Sequence, residues 1–247
     1  MQNIKFIIEY DGTRYKGWQK LGKTSNSDTI QGKFETILKK LTGEDIQVIG
    51  SGRTDAKVHA LCQVANFHTN SKLSPNEIMN YVNEYLPADI AVTKAVNVSE
   101  RFHSRLNAKD KTYCYHIFAG KKADVFRRNY VWHIEESLNL EAMRQASTLL
   151  LGTHDFKGFS SIKKTKKSTT RTISNISIIE TKKEIQISYT GNGFLYHMVR
   201  ILTGTLVEIG KGDRTPDSIL TVFNSQNRQD AGITAPPQGL FLVDVTY

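Results

Sequence analysis

The densest grouping of chemistry-bearing residues is Gly50-Ser51-Gly52-Arg53-Thr54-Asp55-Ala56. Two glycines loosen the end of a short apolar run, and an arginine and an aspartate follow on the connection to the next one. Polar loop residues held on a rigid scaffold are where catalysis concentrates. A glycine-rich turn with a solvated Arg/Asp pair accounts for the same residues without any chemistry. Arg200 poses a similar choice, because Phe194, Leu195, Met198, Val199, Ile201 and Leu202 surround it in sequence. A buried guanidinium needs an anionic partner, and Asp55 is one candidate. The alternative is an arginine that reaches water along its aliphatic stem. In Lys111-Thr112-Tyr113-Cys114-Tyr115 the strand alternation sends Tyr113 and Tyr115 to one face, as buried core or as a platform on which bases stack.

Other patterns are missing. No GxGxxG opens a helix, and there is no GxxxxGK(S/T), HExxH or GxSxG. The histidines at 59, 68, 103, 116, 133, 154 and 197 show no metal-ligand pairing, and Cys62 and Cys114 have no CxxC spacing. The expectation is an activity with no metal and no cofactor.

The elements that must position these residues read as follows. Ile4–Tyr10 alternates as a strand, and Thr29–Leu41 has helical spacing with Asp28 as its cap. Ile46–Gly50 and Cys62–His68 are strands. Ser74-Pro75-Asn76-Glu77 combines an N-cap, an N1 proline and a capping-box glutamate, opening a helix to Tyr85. Ala91–Val98 is a further strand. The order is β-α-β-β-α-β, which is ferredoxin-like. The second half repeats that order without sequence identity between the halves. It has a strand at Thr112–Phe118, a helix at Leu140–Leu151 ended by Gly152, and a hairpin of Arg171–Glu180 and Glu184–Thr190 around Lys182-Lys183. A long helix over Phe194–Ile209 and a strand over Leu240–Thr246 complete it, with a strand near Tyr130–His133, a Lys163–Lys167 loop and a short helix from Pro216 capped by Thr215 as additions. The predicted architecture is α+β: two ferredoxin-like units, 1–105 with the Asp55 loop and 106–247 with insertions. Their extended, mainly antiparallel sheet carries helices on one face and leaves the other free as a cleft for a ligand.

The 247 residues are 39% hydrophobic and 23% charged, ordinary for a folded protein. A chain of this size buries about 70–75% of its extended surface and needs no disulfide. The N-terminal apolar run is short and broken by Glu9, so no signal peptide is expected, and no stretch approaches the roughly 20 apolar residues of a membrane span. The expected location is the cytoplasm. Thirty-three Lys+Arg against 24 Asp+Glu leave a net charge of +9. That surplus favours a polyanionic partner, and its clusters (Lys109/Lys111, Lys121/Lys122, Arg127/Arg128, Lys163–Lys167) lie near Tyr113, Tyr115 and Phe126. No amphipathic basic helix suggests a membrane surface, so nucleic acid leads.

Seven segments together carry a resemblance: YDGTRYKGWQ (10–19), TIQGKFE (29–35), GSGRTDAKVHA (50–60), RFHSRLNAKDKTYCYHI (101–117), GTHDF (152–156), GFLYHMVRIL (193–202) and AGITAPPQGLFLVDVTY (231–247). They resemble, in order and nearly end to end, the TruA family of tRNA pseudouridine synthases. The resemblance implies an isomerisation in which a uridine's C1′–N1 bond breaks, the uracil turns, and a C1′–C5 bond forms. It makes Asp55 the catalytic carboxylate, without deciding whether Asp55 attacks C1′, adds to uracil C6 or takes a C2′ proton. Arg200 matches the arginine that pairs with that aspartate, Tyr113 the tyrosine stacked on the target uracil, and Arg53 the arginine filling the gap left by the flipped base. Lys57 and Lys111 join Arg53 and Tyr113 as expected substrate contacts. The resemblance further implies a homodimer acting on uridines of the tRNA anticodon stem-loop, with no DNA or membrane partner.

Two departures bear on the substrate. The family usually reads RTDAGVHA, whereas Lys57 stands at that glycine here. A glycine there implies positive φ or a close approach of RNA backbone. The stretch Gln19–Asp28 also differs from the usual GWQRQ continuation. Alternatives are therefore a paralogue acting on another RNA, such as ribosomal RNA, and a non-catalytic RNA-binding descendant; a cofactor-free hydrolase using Asp55 as base is a further competitor.

Overall fold

The computed structural model describes residues 1–20, 28–163, 166–181 and 184–247. The expected specificity loop at 20–28, the centre of Lys163–Lys167 and the Lys182-Lys183 turn lie wholly or mostly outside the described residues. The fold is α+β, with a mixed, mostly antiparallel arrangement of strands. Two compact units emerge: Met1–Lys109 together with Phe241–Tyr247, and Asp110–Leu240.

The first unit runs β1 (Gln2–Tyr10), α1 (Ile30–Thr42), β2 (Ile49–Gly50), β3 (His59–Thr69), α2 (Pro75–Tyr85) and β4 (Ile90–Val98). β1 lies between β3 and β4, antiparallel to both, and β2 pairs antiparallel with β3. Ile4, Phe6, Ile8 and Tyr10 are buried on the face covered by the helices, where Phe6 meets Phe34 of α1. On the other face Asn3 donates to the carbonyls of Ser99 and Phe102, both at 2.9 Å, which draws the chain after β4 across the strands. The capping box at Ser74 forms as expected, with Ser74 N–H donating to Glu77 and Glu77 N–H to Ser74. For α1 the cap is Thr29, which accepts from Gly32 N–H, whereas Asp28 pairs with Lys16.

The second unit contains β5 (Lys111–Ala119), β6 (Trp132–Ile134), α3 (Leu140–Thr148), β7 (Gly152–Asp155), β8 (Thr170–Glu180), β9 (Glu184–Gly191), α4 (Met198–Lys211) and α5 (Ser218–Ser225). β9 lies antiparallel between β5 and β8, β7 extends the β8 edge, and β6 runs parallel to β5. Tyr115, Ile187 and Tyr189 are fully buried on one face, and Tyr189 OH reaches Thr203 of α4 at 3.0 Å.

Several boundaries differ from the sequence expectation. Gly152, at φ 95°, opens β7 rather than closing α3. α4 begins at Met198 instead of Phe194, because His197 adopts φ 61° and its ring meets Ser161 Oγ at 3.0 Å while Tyr196 O accepts Ser161 N–H. Those bonds to a distant segment outweigh the apolar periodicity. α5 begins after a turn in which Thr215 O accepts Ser218 N–H, so Thr215 is not its side-chain cap. The last strand, β10 (Leu240–Val245), pairs parallel with β3 through Phe241 and Leu242, which gathers residues from Phe241 onward into the first unit. No helix among the described residues is long and apolar enough to cross a membrane.

Candidate active site

The Gly50–Val58 connection between β2 and β3 is irregular, yet its backbone is pinned along its length. Ser51 N–H donates to Val64 O at 2.7 Å, and Ser51 Oγ donates to Gln63 Oε1 at 2.6 Å. Gln63, fully buried in β3, returns a bond from Nε2 to Gly52 O. Thr54 turns inward, its hydroxyl 2.8 Å from Tyr10 OH, and its carbonyl accepts Trp18 N–H. Burial pushes the Tyr10 phenol up to about 12, so it stays a neutral hydrogen-bonding group. Residues 11–19 are laid over the loop, and Gly17 makes that possible: its φ is 97°, and a Cβ there would stand 2.5 Å from Thr54 O.

Asp55 then opens a turn in which its own carbonyl accepts Val58 N–H at 3.2 Å. Lys57 is the third residue of that turn and has φ 65°. Type II turns require φ > 0 at this position and favour glycine there. A lysine carries about 1–2 kcal/mol of strain in this region. Of the two explanations for a glycine at this point, positive φ is the one realised. The side chains of Arg53, Ala56 and Lys57 are exposed and Asp55 is half-buried, so the loop presents its polar groups while its backbone is fixed.

The other expected site residues belong to the second unit. Lys111 opens β5, partly exposed, and pairs across the ladder with Gly191. Tyr113 is 7% exposed, and its ring meets Phe194 edge-on with centroids 5.3 Å apart. Tyr115, sharing its face, is fully buried and donates to Pro236 O at 2.7 Å; burial raises its phenol well above the usual value, and the nearby Arg200 charge opposes that rise. Arg200 stands in the first turn of α4, where Nε donates to Ala235 O at 2.7 Å and Ala235 N–H donates back to Arg200 O. Residues 231–236 lie against α4 so closely that a Cβ on Gly204 would collide with Ile233 O, and Gly232 N–H donates to Thr205 Oγ1.

The structure thus brings Arg53, Asp55 and Lys57 onto one loop, and gathers Tyr113, Tyr115 and Arg200 around the start of α4. Sequence reasoning missed the supports: Gln63, the Tyr10–Thr54 pair, Gly17 and Ala235. Gln63 offered the clearest signal, a polar side chain within the apolar run of β3. Among the described residues no group of three or more His, Cys, Asp or Glu could hold a metal ion.

The first unit thus displays an Arg-x-Asp pair on a pinned loop, and the second, taken by itself, holds a buried tyrosine and an arginine at a helix start. The family profile described as tRNA pseudouridine synthase matches residues 6–107 and 146–247. Over 247 residues, 100% of both chains, the protein is 49% identical to tRNA pseudouridine synthase A of Bacillus sp. strain KSM-64. It is 51% identical to tRNA pseudouridine synthase A 1 of Clostridium tetani, and 44% to tRNA pseudouridine synthase A of Thermoanaerobacter sp. strain X514, both again across 100% of each chain. The chain belongs to the tRNA pseudouridine synthase family, the TruA group.

Proposed function

We propose that this protein isomerises uridines of the tRNA anticodon stem-loop to pseudouridine, using Asp55 as the catalytic carboxylate and no cofactor. Family membership along the full chain supports the reaction and the class of RNA. The observation that carries the residue assignment is the loop itself, whose backbone is fixed by Ser51, Gln63, Thr54 and Tyr10 while Asp55 stays reachable. Rigid presentation is what a reacting group requires, since a misplacement of about 1 Å can cost roughly 10²-fold in rate.

In the reaction the C1′–N1 bond breaks, the C1′–C5 bond forms, and the hydrogen leaving C5 is balanced by the one gained at N1. A carboxylate that acts as nucleophile or base must be ionised, and the role proposed for Arg200 is to keep Asp55 so. Tyr113 supplies a ring for the uracil to stack on. Arg53 takes the place of the flipped base, offsetting part of the few kcal/mol that flipping costs. Lys57 and Lys111 are proposed phosphate contacts. The net charge of +9 suits a partner bound through several phosphates, and with it a steep salt dependence. The proposed assembly is a homodimer in the cytoplasm.

The experiment is to incubate purified protein with unmodified tRNA and ribosomal RNA transcripts and map pseudouridine chemically. Product confined to the anticodon arm, and absent with Asp55→Ala, is expected. Product in ribosomal RNA alone would overturn the substrate and turn attention to Lys57 and the 20–28 stretch.

A further inference from the structure

Phe126 is 90% exposed, the highest value among the large apolar side chains described, and its neighbour Val125 is 64% exposed. Both sit at the tip of the connection from β5 to β6, and that connection is built rather than slack. Asp124 Oδ1 accepts the N–H groups of Phe126 and Arg127, each at 3.1 Å, closing a tight turn. Arg127 folds back from the tip: it pairs with Asp124, donates to Glu184 of β9, and lies over the Phe118 ring. Glu184 in turn meets His116 Nδ1 at 2.5 Å. The arginine is thus used as an anchor, paired with Asp124 of the loop and Glu184 of β9. The Phe126 ring and Val125 face water, and exposed Lys121, Lys122 and Arg128 flank them in sequence, Arg128 donating to Val125 O at 2.6 Å.

An aromatic ring held in water by a fixed turn gives up the burial that folding would otherwise provide. Exposed cations beside them in sequence, with no ion pair among the described residues, favour a polyanion over an apolar protein surface. An exposed aromatic face on a basic segment fits a nucleotide whose base is unstacked, since a base within an A-form helix has both faces occupied. Resting on the tRNA reading above, we propose that residues 121–128 form an RNA-contacting knuckle, in which Phe126 stacks on an unpaired nucleotide of the tRNA while Lys121, Lys122 and Arg128 neutralise the phosphates beside it.

The test compares wild type, Phe126→Ala and Phe126→Trp in equilibrium binding to labelled tRNA and to a blunt RNA duplex, with KM and kcat from pseudouridine formation alongside. Phe126→Ala is expected to raise the tRNA Kd and KM about tenfold with kcat within about twofold. Phe126→Trp restores both, and duplex binding does not respond. Replacing Lys121, Lys122 and Arg128 by Ala lowers the salt slope of tRNA binding by about one per cation. Unchanged Kd in Phe126→Ala, or an equal loss on the duplex, overturns the proposal. So does a change of oligomeric state in sedimentation, which would assign the knuckle to a second copy of the chain. Binding is read without turnover, so a wild-type protein that forms no pseudouridine would remove the proposed reaction while the Kd comparison still decides the knuckle.

Discussion

The Gly50–Val58 loop and the start of α4 hold their polar residues by opposite means. The loop fixes its backbone, through Ser51, Thr54 and Gln63, and leaves Arg53 and Lys57 in water with Asp55 half-buried. At α4 the side chains themselves are immobilised: Tyr113 is packed against Phe194, and the Arg200 guanidinium is fastened to Ala235. A group that must change bonds needs access, and is best positioned by its main chain. A group that must only offer a ring or a charge is positioned more firmly by packing. The two regions should therefore fail differently when altered.

The largest effect expected in the packed region is at Tyr113. Tyr113→Ala removes the ring and should reduce pseudouridine formation at least a hundredfold, whereas Tyr113→Phe keeps the ring and most of the activity; equal losses in single-turnover assays would move the role to the hydroxyl. Next come two glycines with matching contacts. Gly17→Ala forces a methyl against Thr54 O at positive φ, and Gly204→Ala forces one against Ile233 O. Each should cost about 1–3 kcal/mol of stability in denaturant titration. Only Gly17→Ala acts on the backbone that carries Asp55, so it should lower kcat by about 10²-fold, and Gly204→Ala by about tenfold or less. If the two glycine variants lost kcat equally, the contrast between backbone and side-chain positioning would fail.

Smaller effects follow at Lys57 and His116. Lys57→Gly relieves strain at φ 65° and should stabilise the protein by about 1 kcal/mol, raising Tm by roughly 2–4 °C. Burial opposes a charge on His116, but Cys114 and Glu184 outweigh it and raise its pKa; burial likewise opposes charge on Glu184, while His116, Gln186 and Arg127 lower its pKa. A raised histidine contributes stability below its unfolded value of about 6.5, lost as pH rises through its folded pKa. A lowered glutamate contributes above its unfolded value of about 4.3, lost as pH falls through its folded pKa. The pair therefore helps most between those two values. His116→Gln should lower Tm near pH 5.5 by more than near pH 8.5, and a uniform drop would point to packing alone.

Elements with local signals were legible in the sequence. The Ser74 capping box, the alternation of Ile4–Tyr10 and the strand–helix order of the first unit all arise within a few residues, and the structure follows them. What escaped depends on contacts far apart in sequence. The apolar run from Phe194 predicts helix, yet Ser161 holds Tyr196 and His197 out of it. Thr29 outcompetes Asp28 as a cap because Asp28 is drawn to Lys16. Nothing local tells that β10 pairs with β3, or that Gly17 lets one segment lie over another. Residue type singles out the candidate site residues, and their proposed roles rest on the seven-segment resemblance. The supports beneath them, Gln63 above all, came only from the fold.

Asp55 is proposed to carry the chemistry, with the fixed loop presenting it. Forming the C1′–C5 bond expels the hydrogen at C5, so tRNA transcribed with tritium at C5 of uridine reports the step as release into water. Under single-turnover conditions the wild-type protein should release tritium in step with pseudouridine formation. Asp55→Ala should bind the same tRNA within about threefold of wild type and release none above background, a loss of more than about 10³-fold. Release by Asp55→Ala at a rate near that of the wild type would show that Asp55 does not carry the chemistry.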